Sequence, residues 1–120
     1  MRGRIKGFPG DVRGATAVEF AFVLPILLAF VLGTINLSLF ILTTASLHYA
    51  AEKGARCGAL NGACPESELK SYYYAPGPGP TFTQDPGAAC GYAITATVPF
   101  RLNAVIYHKS ITLSASSCFP

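Results

Sequence analysis

The chain has 120 residues, 51% of them hydrophobic and 12% charged, with nine basic and six acidic side chains for a net charge of +3. Its basic residues gather near the N-terminus instead of forming a face interleaved with aromatics, which argues against nucleic acid as a partner. The length allows one domain, and most of the apolar residues fall in one block.

Residues 1–14 read as a basic cytoplasmic leader: Arg2, Arg4, Lys6 and Arg13 stand against Asp11 alone, among Gly3, Gly7, Gly10 and Gly14. From Phe20 to Leu42 run 23 residues without a charge, and about 20 helical residues cross the roughly 30 Å hydrocarbon layer. The reading is an N-terminal helix over residues 15–60 with a membrane span at about 20–42. The basic flank places the N-terminus in the cytoplasm and the remainder outside. The run exceeds the 7 to 15 apolar residues typical of a removable secretory signal, and Cys57 lies too far beyond it for a lipoprotein signal. A cut on the near side, between Gly14 and Ala15, would remove the leader and keep the helix.

Glu19 is the one carboxylate at the head of this helix. Six residues past Arg13 it sits about 9 Å into the apolar region, where an ionisable group costs a few kcal/mol unless it finds a partner. One answer is snorkelling to the nearby interface. Another is a new α-amino group on Ala15, charged like the carboxylate at neutral pH and presented by a neighbouring, axially shifted copy.

The string GATAVEFAFVLPILLAFVLGTINLSLF from Gly14, followed by EKGAR at Glu52 to Arg56, resembles the TadE-like pseudopilins, or minor pilins, of tight-adherence (Tad) pilus and secretion systems. The resemblance covers roughly the first 60 residues. It implies cleavage by a prepilin peptidase between Gly14 and Ala15, and a register-setting role in a filament for Glu19, with Phe20 beside it. It implies an inner-membrane location with a periplasmic C-terminal part, and other pilin-like subunits and the Tad inner-membrane platform as partners, besides membrane lipid.

Further along the helix, Pro25 removes a donor and crowds the turn at Ala21, as an ordinary kink or as a melting point for leaving the bilayer. Ala29 and Gly33 are four apart and Asn36 lies on the adjoining face, a close-packing pattern with a polar bonder. Ala50, Gly54 and Gly58 form one stripe of small residues, with Ala51, Ala55 and Ala59 as its neighbour. Either the protein's own domain or a partner helix fits such a surface.

Helical signals fade at Asn61, Gly62 and Pro65, and ESELKSYYY adds a short turn before APGPGP, which reads as a connector. Three adjacent tyrosines, Tyr72 to Tyr74, cannot share one direction, so packing with a turn is expected of them. Tyr92, Ile94, Ala96, Val98 and Phe100 then alternate with Thr95 and Thr97, and Ile111, Leu113 and Ala115 alternate with Thr112, Ser114 and Ser116. Both segments predict half-buried strands, an antiparallel pair joined by Arg101 to Ser110 and resting on the helix. The expected fold class is α+β, a long hydrophobic transmembrane helix followed by a small disulfide-stapled domain, residues 61–120.

All four cysteines, Cys57, Cys64, Cys90 and Cys118, fall on the exported side, where disulfides persist. Of three pairings, Cys57 with Cys64 and Cys90 with Cys118 is preferred, with a helix break at Gly62 needed because seven helical residues span about 10.5 Å. There is no C-x-x-C pair, and His48 and His108 are isolated, so no metal site and no cofactor are expected. No nucleophile elbow or phosphate loop appears, so an enzyme is not expected, and the resemblance implies a structural subunit of fibre assembly and adhesion. The competing reading is an unprocessed single-pass protein whose exported domain binds another envelope component.

Overall fold

The computed structural model describes residues 12–103 and 107–120. Most of the leader, residues 1–11, lies outside the described residues. The elements are α1 (Val12–Asn61), α2 (Glu66–Tyr72), β1 (Thr81–Ala88), β2 (Gly91–Asn103) and β3 (His108–Phe119). The fold is α+β, a long apolar helix followed by an antiparallel sheet and two disulfides.

Helix α1 runs for 50 residues with Pro25 inside it. It ends where Gly62 takes φ +80°, the left-handed conformation that closes a helix at little cost for glycine. The chain divides into two compact units at Gly33 and Thr34. In the first, every residue from Gly14 to Gly33 is exposed, including Phe22, Ile26 and Phe30, each above 70%. A helix apolar on all sides suits a membrane, and α1 is long and apolar enough to cross one.

In the second unit, Thr34–Pro120, the three strands form a meander in the order β1-β2-β3, antiparallel throughout. Alternation along β2 buries Tyr92, Ile94, Ala96, Val98 and Phe100, the five positions predicted from the period-two pattern. The hairpin is longer than expected: Arg101 pairs with Ser110, Leu102 with Lys109 and Asn103 with His108. Most of the supposed Arg101 to Ser110 connection is therefore strand, and residues 104–106 lie outside the described residues. The sheet gains a third strand that the sequence reading did not contain, β1, which pairs from Thr81↔Thr97 to Ala88↔Gly91 with an irregularity between Asp85 and Ala88. That irregularity holds Pro86 at the sheet edge, where a missing N–H is tolerated.

The core lies between the sheet and the C-terminal half of α1. One cluster joins Leu47 and Ala51 to Ala96, Val98 and Ala115. The other joins Ala55, Cys57 and Cys64 to Leu69, Tyr92 and Ile94. Leu47, Leu69, Ile94 and Val98 are essentially inaccessible, and burying each such side chain stabilises by about 1.5–3 kcal/mol. Small residues on α1 let the sheet come this close. A Cβ on Gly54 would lie 2.9 Å from Ile94 Cδ1 and nearer still to Leu69, and one on Gly58 would collide with the ring of Tyr92.

The two glycines should respond differently to alanine. At Gly54 the obstructing atoms end flexible side chains, so Gly54→Ala gains about 1 kcal/mol of helix propensity against a small repacking cost. At Gly58 the obstacle is a rigid ring, so Gly58→Ala should destabilise toward the upper end of the roughly 1–3 kcal/mol typical of overpacking. Thermal or denaturant unfolding in detergent, followed by the tyrosine near-UV signal, measures both; Gly33→Ala, which meets nothing within 4 Å, is the control.

Candidate assembly segment and the clamps of the head

Gly14, Ala15, Glu19 and Phe20 all lie on α1 and all are exposed. Gly14 is helical and has nothing within 4 Å of a hypothetical Cβ. Packing does not demand a glycine there, and its weak helix propensity eases local unwinding. Glu19 has no ion-pair partner among the described residues and shares the exposed surface with Phe20 at 61% and Phe22 at 74%. Pro25 is accommodated within α1; its missing N–H leaves the carbonyl of Ala21 without its usual donor. Ala29 and Gly33 are exposed as well.

The remaining small and polar positions sit in the second unit. Asn36 Nδ2 donates to the carbonyl of Asn103 at 3.4 Å, tying α1 to the end of β2. Ala50, Gly54 and Gly58 are buried, with Gly54 beneath Leu69 and Ile94 and Gly58 beneath Tyr92. The protein's own domain thus covers this stripe. Cys57 bonds to Cys64 with Cα atoms 5.4 Å apart, across the break that Gly62 makes. Cys90, in the β1–β2 turn, bonds to Cys118 on β3 with Cα atoms 6.2 Å apart.

Two polar residues absent from the sequence reading hold the irregular segments. Gln84 on β1 accepts from the backbone N–H of Cys64 at 3.3 Å and donates to the carbonyl of Cys64 at 2.9 Å. Its Oε1 also accepts from the hydroxyl of Tyr92. Ser46, fully buried on α1, accepts from the N–H groups of Tyr74 at 2.8 Å and Ala75 at 3.2 Å. This fixes the start of the proline-glycine connector. A single Gln or Ser in one sequence gives no signal of such roles; only the tertiary partners reveal them.

The three tyrosines diverge. Tyr72 packs on the Cys57–Leu69 cluster and donates to Glu68 Oε1 at 2.8 Å; that bond raises its phenol above the ordinary value. Tyr73 packs against the cluster of Leu47, Ala51, Ala96, Val98 and Ala115, and burial raises its phenol while the Thr43 hydroxyl opposes the shift. Tyr74 is 57% exposed and meets Tyr49 edge-on at 6.1 Å. An open groove of about 510 Å³ beside Tyr73 is lined by Thr43, Pro76, Pro78, Val98 and Phe100 among others, with no carboxylate or histidine in its wall among the described residues. The one grouping of metal-ligand residue types among the described residues is Cys57, Cys64 and Glu68. Its two sulfurs are consumed by a disulfide, which removes the thiolates a metal would need.

A family model described as TadE-like protein matches residues 14–56. Over this segment the chain is similar to the TadE-like family. The match opens at Gly14, takes in Glu19, Pro25 and Gly54, and stops at Arg56, one residue before the first cysteine. No curated protein and no solved structure matches the chain. The match covers 43 of the chain's 120 residues.

Gln84→Leu should leave the Cys64 backbone groups and the Tyr92 hydroxyl short of partners, at about 1–3 kcal/mol for buried groups. Gln84→Glu, which keeps the acceptor but loses the donor to the Cys64 carbonyl, should fall between. Amide exchange at Cys64, together with the unfolding midpoint, checks the order.

Proposed function

We propose that the chain is a pseudopilin or minor pilin of a Tad-like apparatus, held in the inner membrane by α1 with the C-terminal domain, residues 61–120, on the periplasmic side. Residues 1–14 act as a cytoplasmic leader. A prepilin peptidase cuts between Gly14 and Ala15, and the subunit passes through the Tad inner-membrane platform to join other pilin-like subunits. There it starts, caps or stabilises a fibre used in adhesion. The observation that carries this reading is the TadE-like match beginning at Gly14, five residues ahead of an exposed carboxylate on an otherwise apolar helix surface.

The physical step is charge neutralisation in a low-dielectric place. Cleavage creates an α-ammonium on Ala15. On a single helix that amine points away from Glu19, but a neighbouring subunit displaced along the axis brings its own terminus to the carboxylate. An isolated charge there costs a few kcal/mol, so pairing favours one axial offset over others. Pro25 loosens the helix next to this point and so lowers the cost of adjusting it during extraction from the bilayer.

A second reading has a specific observation behind it: Gly14 and Ala15 lie inside α1, and a helical bond must unwind before a peptidase can cut it. On that reading the chain keeps its leader and serves as a single-pass envelope protein. N-terminal sequencing of the membrane-bound protein separates the two, with Ala15 as first residue expected for the pilin reading and an intact leader for the other. Glu19→Gln and Glu19→Ala should leave membrane abundance unchanged and reduce recovery in sheared fibres at least several-fold. Normal recovery of both variants would remove the proposed role of Glu19.

A further inference from the structure

The end of the β2–β3 hairpin is basic. Arg101, His108 and Lys109 are exposed, Tyr107 is 57% exposed next to them in sequence, and a hollow of about 470 Å³ is lined by Arg101, Asn103, His108, Lys109 and Ser110. The acidic side chains of this unit, Glu52, Glu66, Glu68 and Asp85, lie elsewhere. Glu52 is sixteen residues along α1 from Asn36, about 24 Å, and Asp85 pairs with Ala93 toward the opposite end of β2.

The position of this patch along α1 matters more than its charge. Asn103 accepts from Asn36, and the ring of Phe100 meets Phe40 edge-on at 5.5 Å. Asn36 and Phe40 both belong to the uncharged run Phe20–Leu42, so the hairpin end flanks its last two turns. About 20 helical residues fill the hydrocarbon layer, a length that the exposed stretch Gly14–Gly33 supplies by itself, which leaves Asn36 to Leu42 for the headgroup layer. Within hydrocarbon, Arg101 and Lys109 would be strongly unfavourable. At the headgroups their long stems can lie along the apolar boundary while their charges reach phosphate, and tyrosine favours the same zone.

We infer that the hairpin end docks on anionic phospholipid headgroups of the leaflet from which α1 emerges, with Arg101 and Lys109 on the phosphates and Tyr107 at the boundary. This goes beyond the pilin reading. It rests on α1 spanning the membrane and is indifferent to cleavage at Gly14.

The chain contains no tryptophan, so Tyr107→Trp supplies a single fluorescent reporter on an exposed site. The full chain carrying it is reconstituted in phosphatidylcholine vesicles with or without phosphatidylglycerol, and flotation with the vesicles confirms insertion. Tyr74→Trp, equally exposed and packed at Tyr49 well above Asn36, is the reference. With phosphatidylglycerol, the reporter at 107 should emit to the blue of the reference and be quenched more by spin labels at the headgroup than by labels deep in the acyl chains. Adding Arg101→Glu and Lys109→Glu should abolish the shift, and high salt should weaken it. Emission at 107 matching the reference in both vesicle types, equal quenching without phosphatidylglycerol, or quenching untouched by the charge reversals would each overturn the inference.

Discussion

A tyrosine ring lying on bare helix backbone, Tyr92 over Gly58, sets how near β2 approaches α1, and the rest of the Thr34–Pro120 unit conforms to that spacing. Ile94 and Leu69 descend on Gly54 in the same manner. Leu47, a larger side chain on α1, shares its cluster with the small strand residues Ala96 and Ala115 as well as with Val98. Large and small residues are thus complementary across the interface, which is how a core reaches close packing without strained rotamers. Both glycines weaken the helix intrinsically, and at Gly58, where a rigid ring occupies the space of a Cβ, contact with the sheet returns more than propensity loses.

A unit of this size has a modest core, and its covalent and polar ties fall where regular structure stops. The Cys57–Cys64 bond crosses the end of α1, and Cys90–Cys118 ties the β1–β2 turn to the last strand. Loop lengths of 7 and 28 residues correspond to about 2–4 kcal/mol each in the chain-entropy account. Gln84 and Ser46 serve the intervening backbone, meeting N–H groups that no helix or strand would satisfy. Every irregular segment between Asn61 and Thr81 is therefore tied to α1 or β1 by at least one disulfide or side-chain hydrogen bond.

What could be read from the sequence follows from periodicity. The helix showed itself through uninterrupted apolar content, and β2 through five apolar positions at strict period two. Strand β1 was hidden because its single large apolar residue, Phe82, makes no alternation and Asp85-Pro86-Gly87 reads as a turn. Its pairing is imposed by β2 rather than by its own composition. The hairpin was underestimated in length because Arg101, Asn103, His108 and Lys109 look like loop residues, yet backbone pairing continues through them. In the candidate segment, the succession Gly14, Glu19 and Pro25 was legible as a motif. The partners of Gln84, Ser46 and Asn36 lie 8 to 67 residues away in sequence, and no local pattern encodes them.

The division between the two compact units falls inside α1, between Gly33 and Thr34, and not at a loop. The sheet has its greasy side filled by helix residues 43–58, so the head owns the second half of α1 as much as its strands. A water-soluble fragment beginning after Asn61 would leave Ile94, Val98 and Tyr92 uncovered and would be prone to clump. One that keeps the helix from about Thr34 onward carries its own keel.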